Sequence, residues 1–530
     1  MSGLLNAAWV GAQSPAWLAF RQTLRRPQAV QQRRLFHYLA ANARTEFGRR
    51  YRFGSIRSLA EFQARVPLSS YESYADAISR VRAGAGNVLT AAPVRCLQPS
   101  SGSTRAAKLI PYTADLQREF SRAVAPWVCD LARTARGVLG GPAYWSITPL
   151  VTGEECGAGA SQSGDVRVGF ESDSAYLGGW LRRLAEGTLV PCEDLKHAAD
   201  IGEFRRRTLL RLLRERELRL ISVWHPSFLT LLLDRLAASW NELLADLARG
   251  VPPAAGLPRE PPCPRRAREL ARADPGQPHS IWPRLAVVSC WADAHAATLS
   301  ACLRSRLPGV AIQPKGLMAT EAVVSLPFAG GHPLAIRSHF FEFIDESGNA
   351  RLAWELEAGE CYSVVVTTGG GFYRYRLQDR IRVEGFLQAT PCIRFMGKED
   401  SISDLRGEKL SEGLAAGILS RLLPAHAPGA RFALLAPEVE AGTPRYVLFV
   451  ESATAPAAAL CTELESALAA NPHYACCVQL GQLRPATVEH VAAGAAERYL
   501  ERLRASGQRL GNIKPAALSP LGGWRTVFAG

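Results

Sequence analysis

The stretch Gln98-Pro-Ser-Ser-Gly-Ser-Thr-Arg-Ala-Ala-Lys108-Leu-Ile-Pro111 sets small hydroxyl residues, a glycine and a lysine directly after an apolar run ending near Leu97. Hydroxyl side chains and open backbone N–H groups in such a turn form a nest for phosphate, and the Lys108 ammonium would neutralise charge there. The spacing is not that of G-x-x-x-x-G-K-[ST], so a P-loop NTPase is not supported. Taken alone, a serine-rich turn explains the segment as well as a phosphate loop does.

Three further segments acquire meaning beside it. Lys315-Gly-Leu-Met-Ala-Thr-Glu321-Ala follows the apolar residues 310–312 and sets a hydroxyl beside a carboxylate in a small, apolar turn. Glu321 there is suited to hold Mg²⁺ against nucleotide phosphates; an isolated Glu more commonly starts or caps an exposed helix. Gly369-Gly-Gly-Phe-Tyr-Arg-Tyr-Arg-Leu-Gln-Asp379-Arg-Ile-Arg-Val joins a triple-glycine turn to aromatic–basic alternation. An Asp at a strand end accepts from both ribose hydroxyls, whereas the alternation is also what a strand with one buried and one wet face looks like. Last come Phe395-Met-Gly-Lys398-Glu-Asp400 with Gly407-Glu-Lys409, and Gly511-Asn-Ile-Lys514-Pro515 near the C-terminus.

Lysine is the informative residue type. Of 62 basic residues only Lys108, Lys196, Lys315, Lys398, Lys409 and Lys514 are lysine. A compact ammonium on a flexible stem reaches a single phosphate or carboxylate oxygen in a way the planar guanidinium does not.

The remaining composition bounds the class. A chain of 530 residues exceeds a single core, so a large domain and at least one smaller one are expected. With 47% hydrophobic and 21% charged residues it is an ordinary globular chain. Its most apolar segment, 228–247, is interrupted by Asp234, Arg235, Glu242 and Asp246, so it reads as one buried amphipathic helix and no membrane span is expected. The N-terminus lacks a basic region and cleavage pattern for export before Arg21. Twelve cysteines without a C-x-x-C pair fit a reduced cytoplasm. The net charge of +14 is spread along the chain among 48 acids, so no nucleic-acid partner is expected.

Periodicity gives the layout. Residues 1–90 carry helical patterning; 144–148, 220–224, 285–291 and 362–367 read as strands, separated by helix-length segments such as 203–219. That alternation predicts α/β layering. Residues 250–283, rich in Pro, Gly and Arg, read as a surface loop or insertion. A new pattern begins after 397–400, with a strand at 446–450 and a helix around 495–503.

The ordered set of segments resembles the GH3 family of acyl-acid amido synthetases, within the wider adenylate-forming superfamily, over nearly the full chain. Thr45-Glu-Phe-Gly-Arg-Arg-Tyr-Arg-Phe, Val66-Pro-Leu-Ser-Ser-Tyr-Glu-Ser-Tyr and above all Phe372-Tyr-Arg-Tyr-Arg strengthen the likeness. The resemblance implies a large N-terminal adenylate-forming α/β domain (1–397), a hinge (398–400) and a smaller mobile α+β domain (401–530). It implies an ATP- and Mg²⁺-dependent ligase that turns a small carboxylic acid into acyl-AMP and passes the acyl group to an amine or amino acid. Ser100, Ser101, Gly102, Ser103, Thr104 and Lys108 would embrace the phosphates. Met318, Ala319, Thr320 and Glu321 would close over the α-phosphate, with Glu321 on Mg²⁺. Asp379 would hold the ribose, Lys409 would reach the nucleotide from the hinge side, and Lys514 would act in adenylation. Gln378 stands where the family usually has Gly, Lys398 where it commonly has Arg, and Arg105-Ala-Ala replaces a more glycine-rich loop. An acyl-CoA ligase, or a decayed ligase that only binds nucleotide, are the competing readings.

Overall fold

Strands of continuous β-branched and apolar residues become buried on both faces when helices cover both sides. In the computed structural model this describes Leu220–Ser222 and Val287–Cys290, which are flanked in their sheet by the partly buried Ala143–Trp145 and by Ala311–Pro314 at a more exposed edge. The structure describes the chain apart from residues 1, 101–107, 136, 147–165, 168–186, 199, 255, 295, 400–401, 407, 409, 441, 506–515 and 530. Ser101, Gly102, Ser103, Thr104, Asp400, Lys409 and Lys514 therefore lie outside the described residues.

In chain order the strands are β1 (Val94–Ser100), β2 (Lys108–Thr113), β3 (Ala143–Trp145), β4 (Leu220–Ser222), β5 (Val287–Cys290), β6 (Ala311–Pro314), β7 (Phe340–Ile344), β8 (Ala350–Leu352), β9 (Cys361–Thr367), β10 (Tyr375–Leu387), β11 (Thr390–Lys398), β12 (Ile402–Ser403), β13 (Leu410–Ser411), β14 (Phe432–Glu440), β15 (Thr443–Glu451) and β16 (Arg484–His490). The chain is a mixed α/β protein. β3-β4-β5-β6 form a parallel sheet in sequential order. β11-β10-β9-β7-β8 form an antiparallel one. Helices Ser2–Thr23, Pro27–Asn42, Glu46–Arg50, Leu59–Arg65 and Ala75–Arg82 make the N-terminal lead-in.

Two expectations are corrected. The segment 228–247 is two helices, Pro226–Ala238 and Trp240–Arg249, with the break at Ser239, whose N–H still bonds back to Arg235 O at 3.0 Å. Residues 250–283 are not a surface loop. They include helices Pro264–Leu270 and Pro278–Ile281, and Leu257, Leu270, Ile281 and Trp282 join the core around β4 and β5. The arginines that made the segment look wet are partly internal: Arg266 is buried, and its guanidinium donates to Leu213 O (2.9 Å) and Ile281 O (2.6 Å). A buried arginine satisfied by helix-end carbonyls leaves no hydrophobic signature in a sequence.

In the C-terminal part, β14 and β15 pair antiparallel and β16 runs parallel to β15. Side chains alternate across a strand. Tyr446, Leu448 and Val450 enter one core with the helices Glu412–His426 and Ala459–Ala469, while Val447 and Phe449 enter another with Tyr499 and Trp524.

Candidate active site

The register of β1 against β2 places Ser100 opposite Lys108, so both ends of the serine-rich segment meet at one point. Ser100 is buried. The Lys108 ammonium lies 5.9 Å from the centre of the Tyr71 ring, and the Tyr71 hydroxyl accepts from the Leu109 N–H at 2.7 Å.

The second segment is a tight turn. Met318 pairs with Val323, and the Ala319 N–H donates to Ala322 O at 2.9 Å, leaving Thr320 and Glu321 at its apex. The turn is tied to β2, because the Tyr112 hydroxyl donates to Thr320 O at 2.6 Å. On its other side the Val323 N–H donates to His339 Nε2 at 3.1 Å, and His339 Nδ1 stands 3.0 Å from the buried Glu119 carboxylate. Glu119 also accepts from the Tyr38 hydroxyl (2.7 Å) and the Gly369 N–H (2.9 Å). One carboxylate thus fixes both the Glu321 turn and the glycine turn. Glu119 and His339 carry no motif of their own; only the helical register of 114–134 would have marked Glu119 as facing inward.

Glu321 is buried and starts no exposed helix. Burial raises its pKa; Lys398 and Lys108 oppose that shift, and Asp379 adds to it. Asp379, only 2% exposed, accepts from the Lys398 ammonium at 2.7 Å, which also donates to Leu377 O at 3.2 Å. Tyr375, raised by burial and by Glu321, Glu72 and Tyr71, completes the group. The structure therefore gathers Lys108, Glu321, Asp379 and Lys398 in one electrostatic neighbourhood, with Tyr71 and Tyr375 as walls. Those tyrosines sit inside motifs already quoted, but nothing in their spacing singled them out.

From Tyr375 onward the aromatic–basic string is the half-wet strand its alternation suggests, with Arg376 and Arg380 exposed, but the residues before it are not. Phe372, Tyr373 and Tyr375 are buried, and Arg374 is buried with them at 5% exposure. Its guanidinium donates to the Glu342 carboxylate (3.1 and 3.2 Å) and to Gln63 O and Val66 O (both 2.8 Å). The triple glycine is required by packing as much as by turning. A Cβ on Gly369 would lie 2.6 Å from Glu119 Oε1, and one on Gly371, at φ +98°, would lie 2.7 Å from Leu89 Cβ.

Gln378 adopts φ +59°, beside an irregularity in the pairing of β10 with β9. A side chain in the left-handed region costs about 1 kcal/mol, and glycine returns roughly that through its freer unfolded chain. Gln378→Gly is therefore expected to leave the urea midpoint almost unchanged. Gln378→Val, β-branched at positive φ, should lower stability by about 1–2 kcal/mol.

Family models match consecutive parts of the chain: the GH3 family N-terminal domain at residues 18–310, the central domain at 332–398 and the C-terminal domain at 416–520. The chain belongs to the GH3 family. Among curated GH3 proteins, a probable indole-3-acetic acid-amido synthetase of Oryza sativa subsp. japonica is 26% identical over 75% of this chain and 73% of its own. An indole-3-acetic acid-amido synthetase of Arabidopsis thaliana is 21% identical over 78% and 74%. Among solved structures, the AtGH3.15 acyl acid amido synthetase in complex with 2,4-DB superposes with a TM-score of 0.83 at 18% identity, covering 97% of this chain and 95% of that one. A 2-hydroxyisobutyryl-CoA ligase in its postadenylation state matches at a TM-score of 0.50 over 88% and 85%. The chain shares the fold of both solved structures, and as a member of the GH3 family it groups with amide-forming ligases. No helix among the described residues is long and apolar enough to cross a membrane.

Proposed function

We propose that the chain activates a small carboxylic acid with ATP and Mg²⁺ and joins it to an amine, of which an amino acid is the first candidate, in the cytoplasm. The observation that carries the assignment of roles is the meeting of Ser100, Lys108, Thr320, Glu321 and Asp379 around one polar centre in a GH3 chain. In this reading Ser100–Thr104 and Lys108 hold the phosphates, with Met318 and Ala319 shaping the turn that carries Thr320 and Glu321 to the α-phosphate. Asp379 binds the ribose, exchanging the Lys398 ammonium for sugar hydroxyls. Glu321 fits a hard cation: it is a buried carboxyl whose ionisation is disfavoured, and a divalent ion would restore it. Bound there, Mg²⁺ would offset charge on the departing pyrophosphate.

In the first half-reaction the acid's carboxylate oxygen attacks the α-phosphorus and the bond to pyrophosphate breaks. In the second, the amine nitrogen attacks the acyl carbon, AMP departs with the bonding electrons and the nitrogen loses a proton. No enzyme nucleophile is required; the site supplies position and charge. Residues 1–397 form the nucleotide- and acid-binding domain, 398–400 the hinge and 401–530 the mobile domain that brings Lys409 and Lys514 to the nucleotide. The segment after Lys514 is anchored to that domain: the Ala516 N–H donates to the Tyr499 hydroxyl at 3.3 Å.

The deciding measurement is acid-dependent pyrophosphate release across aryl and aliphatic acids, followed by mass analysis of products formed with amino acids or with CoA. Acid-dependent release with an amide product is expected, and EDTA should stop it. Lys514→Ala is expected to lose adenylation with an unchanged circular dichroism spectrum. Thioester product alone, or full adenylation by that variant, would sink the respective assignment.

A further inference from the structure

The carboxyl ends of a parallel sheet are where open α/β folds bind ligands. Here those ends present Trp145 on β3, Ser222 and then Trp224 after β4, Trp291 after β5, and Lys315 after β6. Lys315 is buried, and its ammonium donates to Ser222 Oγ at 2.8 Å. It lies 4.8 Å from the centre of the Trp127 ring and 5.4 Å from that of Trp224, itself 38% exposed. Among the described residues no carboxylate stands within ion-pair distance of it. A buried ammonium facing two indoles and one hydroxyl is short of a counter-charge, because ring faces and a neutral oxygen repay only part of its lost hydration. Burial pulls its pKa down to about 7, with Cys290 as its charge neighbour.

Lys315 does not belong to the phosphate end. The charged neighbours of Glu321 are Lys398, Asp379 and Lys108, not Lys315. Yet Lys315 and Met318, whose turn carries Glu321, both line a cavity of about 10 Å³ with Trp127 and Val323, room for about one water or one carboxylate oxygen. An apolar wall of Met318, Val323 and Trp127 thus stands beside the lysine, and its Met318 and Val323 belong to the same turn that carries Glu321.

We propose that Lys315 is a specificity-determining residue that pairs with a second carboxylate on the acid substrate, so that the preferred acids are dicarboxylic with an apolar spacer. The inference rests on the adenylation reading above. The Ser222 hydroxyl, already accepting from Lys315, is placed to donate its own proton to the same anion. Trp127 and Trp224 flank the spacer.

The test uses the full chain and the dicarboxylates from succinate to suberate, each paired with the monocarboxylate of equal length. Pyrophosphate release from the wild type should favour the dicarboxylate at one or two lengths. Lys315→Met should lower the dicarboxylate-to-monocarboxylate ratio of kcat/KM by about 100-fold, the order lost with a desolvated charge-assisted pair. A wild type that prefers monocarboxylates throughout overturns the proposal, as does a variant in which both classes fall together. Calorimetric titration of wild type and variant with the same acids separates the two readings. Dicarboxylate binding that depends on Lys315 upholds this one even where no acid releases pyrophosphate, whereas equal binding by both proteins defeats it.

Discussion

Glu321→Gln should lower acid-dependent pyrophosphate release by about 10²–10³-fold in kcat/KM, the range for loss of one preorganised group at a developing charge, while the protein stays at least as stable as before. The two effects part because of burial. A carboxyl whose pKa is raised in the fold binds more protons folded than unfolded, so wild-type stability falls as pH rises from the ordinary value of 4.5 through the raised one. The glutamine keeps the shape, lacks the charge, and carries no such loss at neutral pH. Urea midpoints at pH 5 and pH 8 measure this. A variant that loses activity and stability together at pH 8 would mean that Glu321 is structural.

Arg374→Ala carries the largest expected cost to the fold. It removes a buried guanidinium bonded to Glu342, Gln63 O and Val66 O, and among the described residues leaves the Glu342 carboxylate with only the Gln63 amide, which donates to it at 2.9 Å. Breaking one side of a buried pair costs about 3–5 kcal/mol. The link joins the helix Leu59–Arg65 to β7 and to the turn entering β10. Thermal unfolding should move sharply downward, and Arg374→Met with Glu342→Leu should recover much of the loss. A single variant within 1 kcal/mol of wild type, an amount of about 2–4 °C for a domain of moderate size, would show that the pair does not hold the turn.

The sequence made some of this legible. Short apolar runs gave β4, β5 and β9 within a few residues, because a strand buried on both faces must be apolar throughout. The serine-rich segment stood out because its hydroxyls cluster just ahead of a lysine, and β1 and β2 bring its ends, Ser100 and Lys108, together. What stayed hidden depends on distant partners. Glu119 and His339 look like any surface acid and base until the fold buries them against Gly369 and Val323. Arg266 hid a core segment behind a charge, and Arg374 looked wet because the rule of alternation was applied where the strand had not yet begun. Lys315 was singled out among the six lysines and as the start of a motif; its isolation from the acids around Glu321 belongs to three dimensions alone.

The alternation along β15 carries a thermodynamic consequence. Both faces of that sheet are covered by helices from beyond residue 411, and among the described residues Ala294 is the one from before β12 packed against either core. A body with its own two-sided interior melts on its own terms. Calorimetry should record two transitions rather than one, so that this protein has two melting temperatures, and a ligand held wholly by the larger body raises only that body's transition.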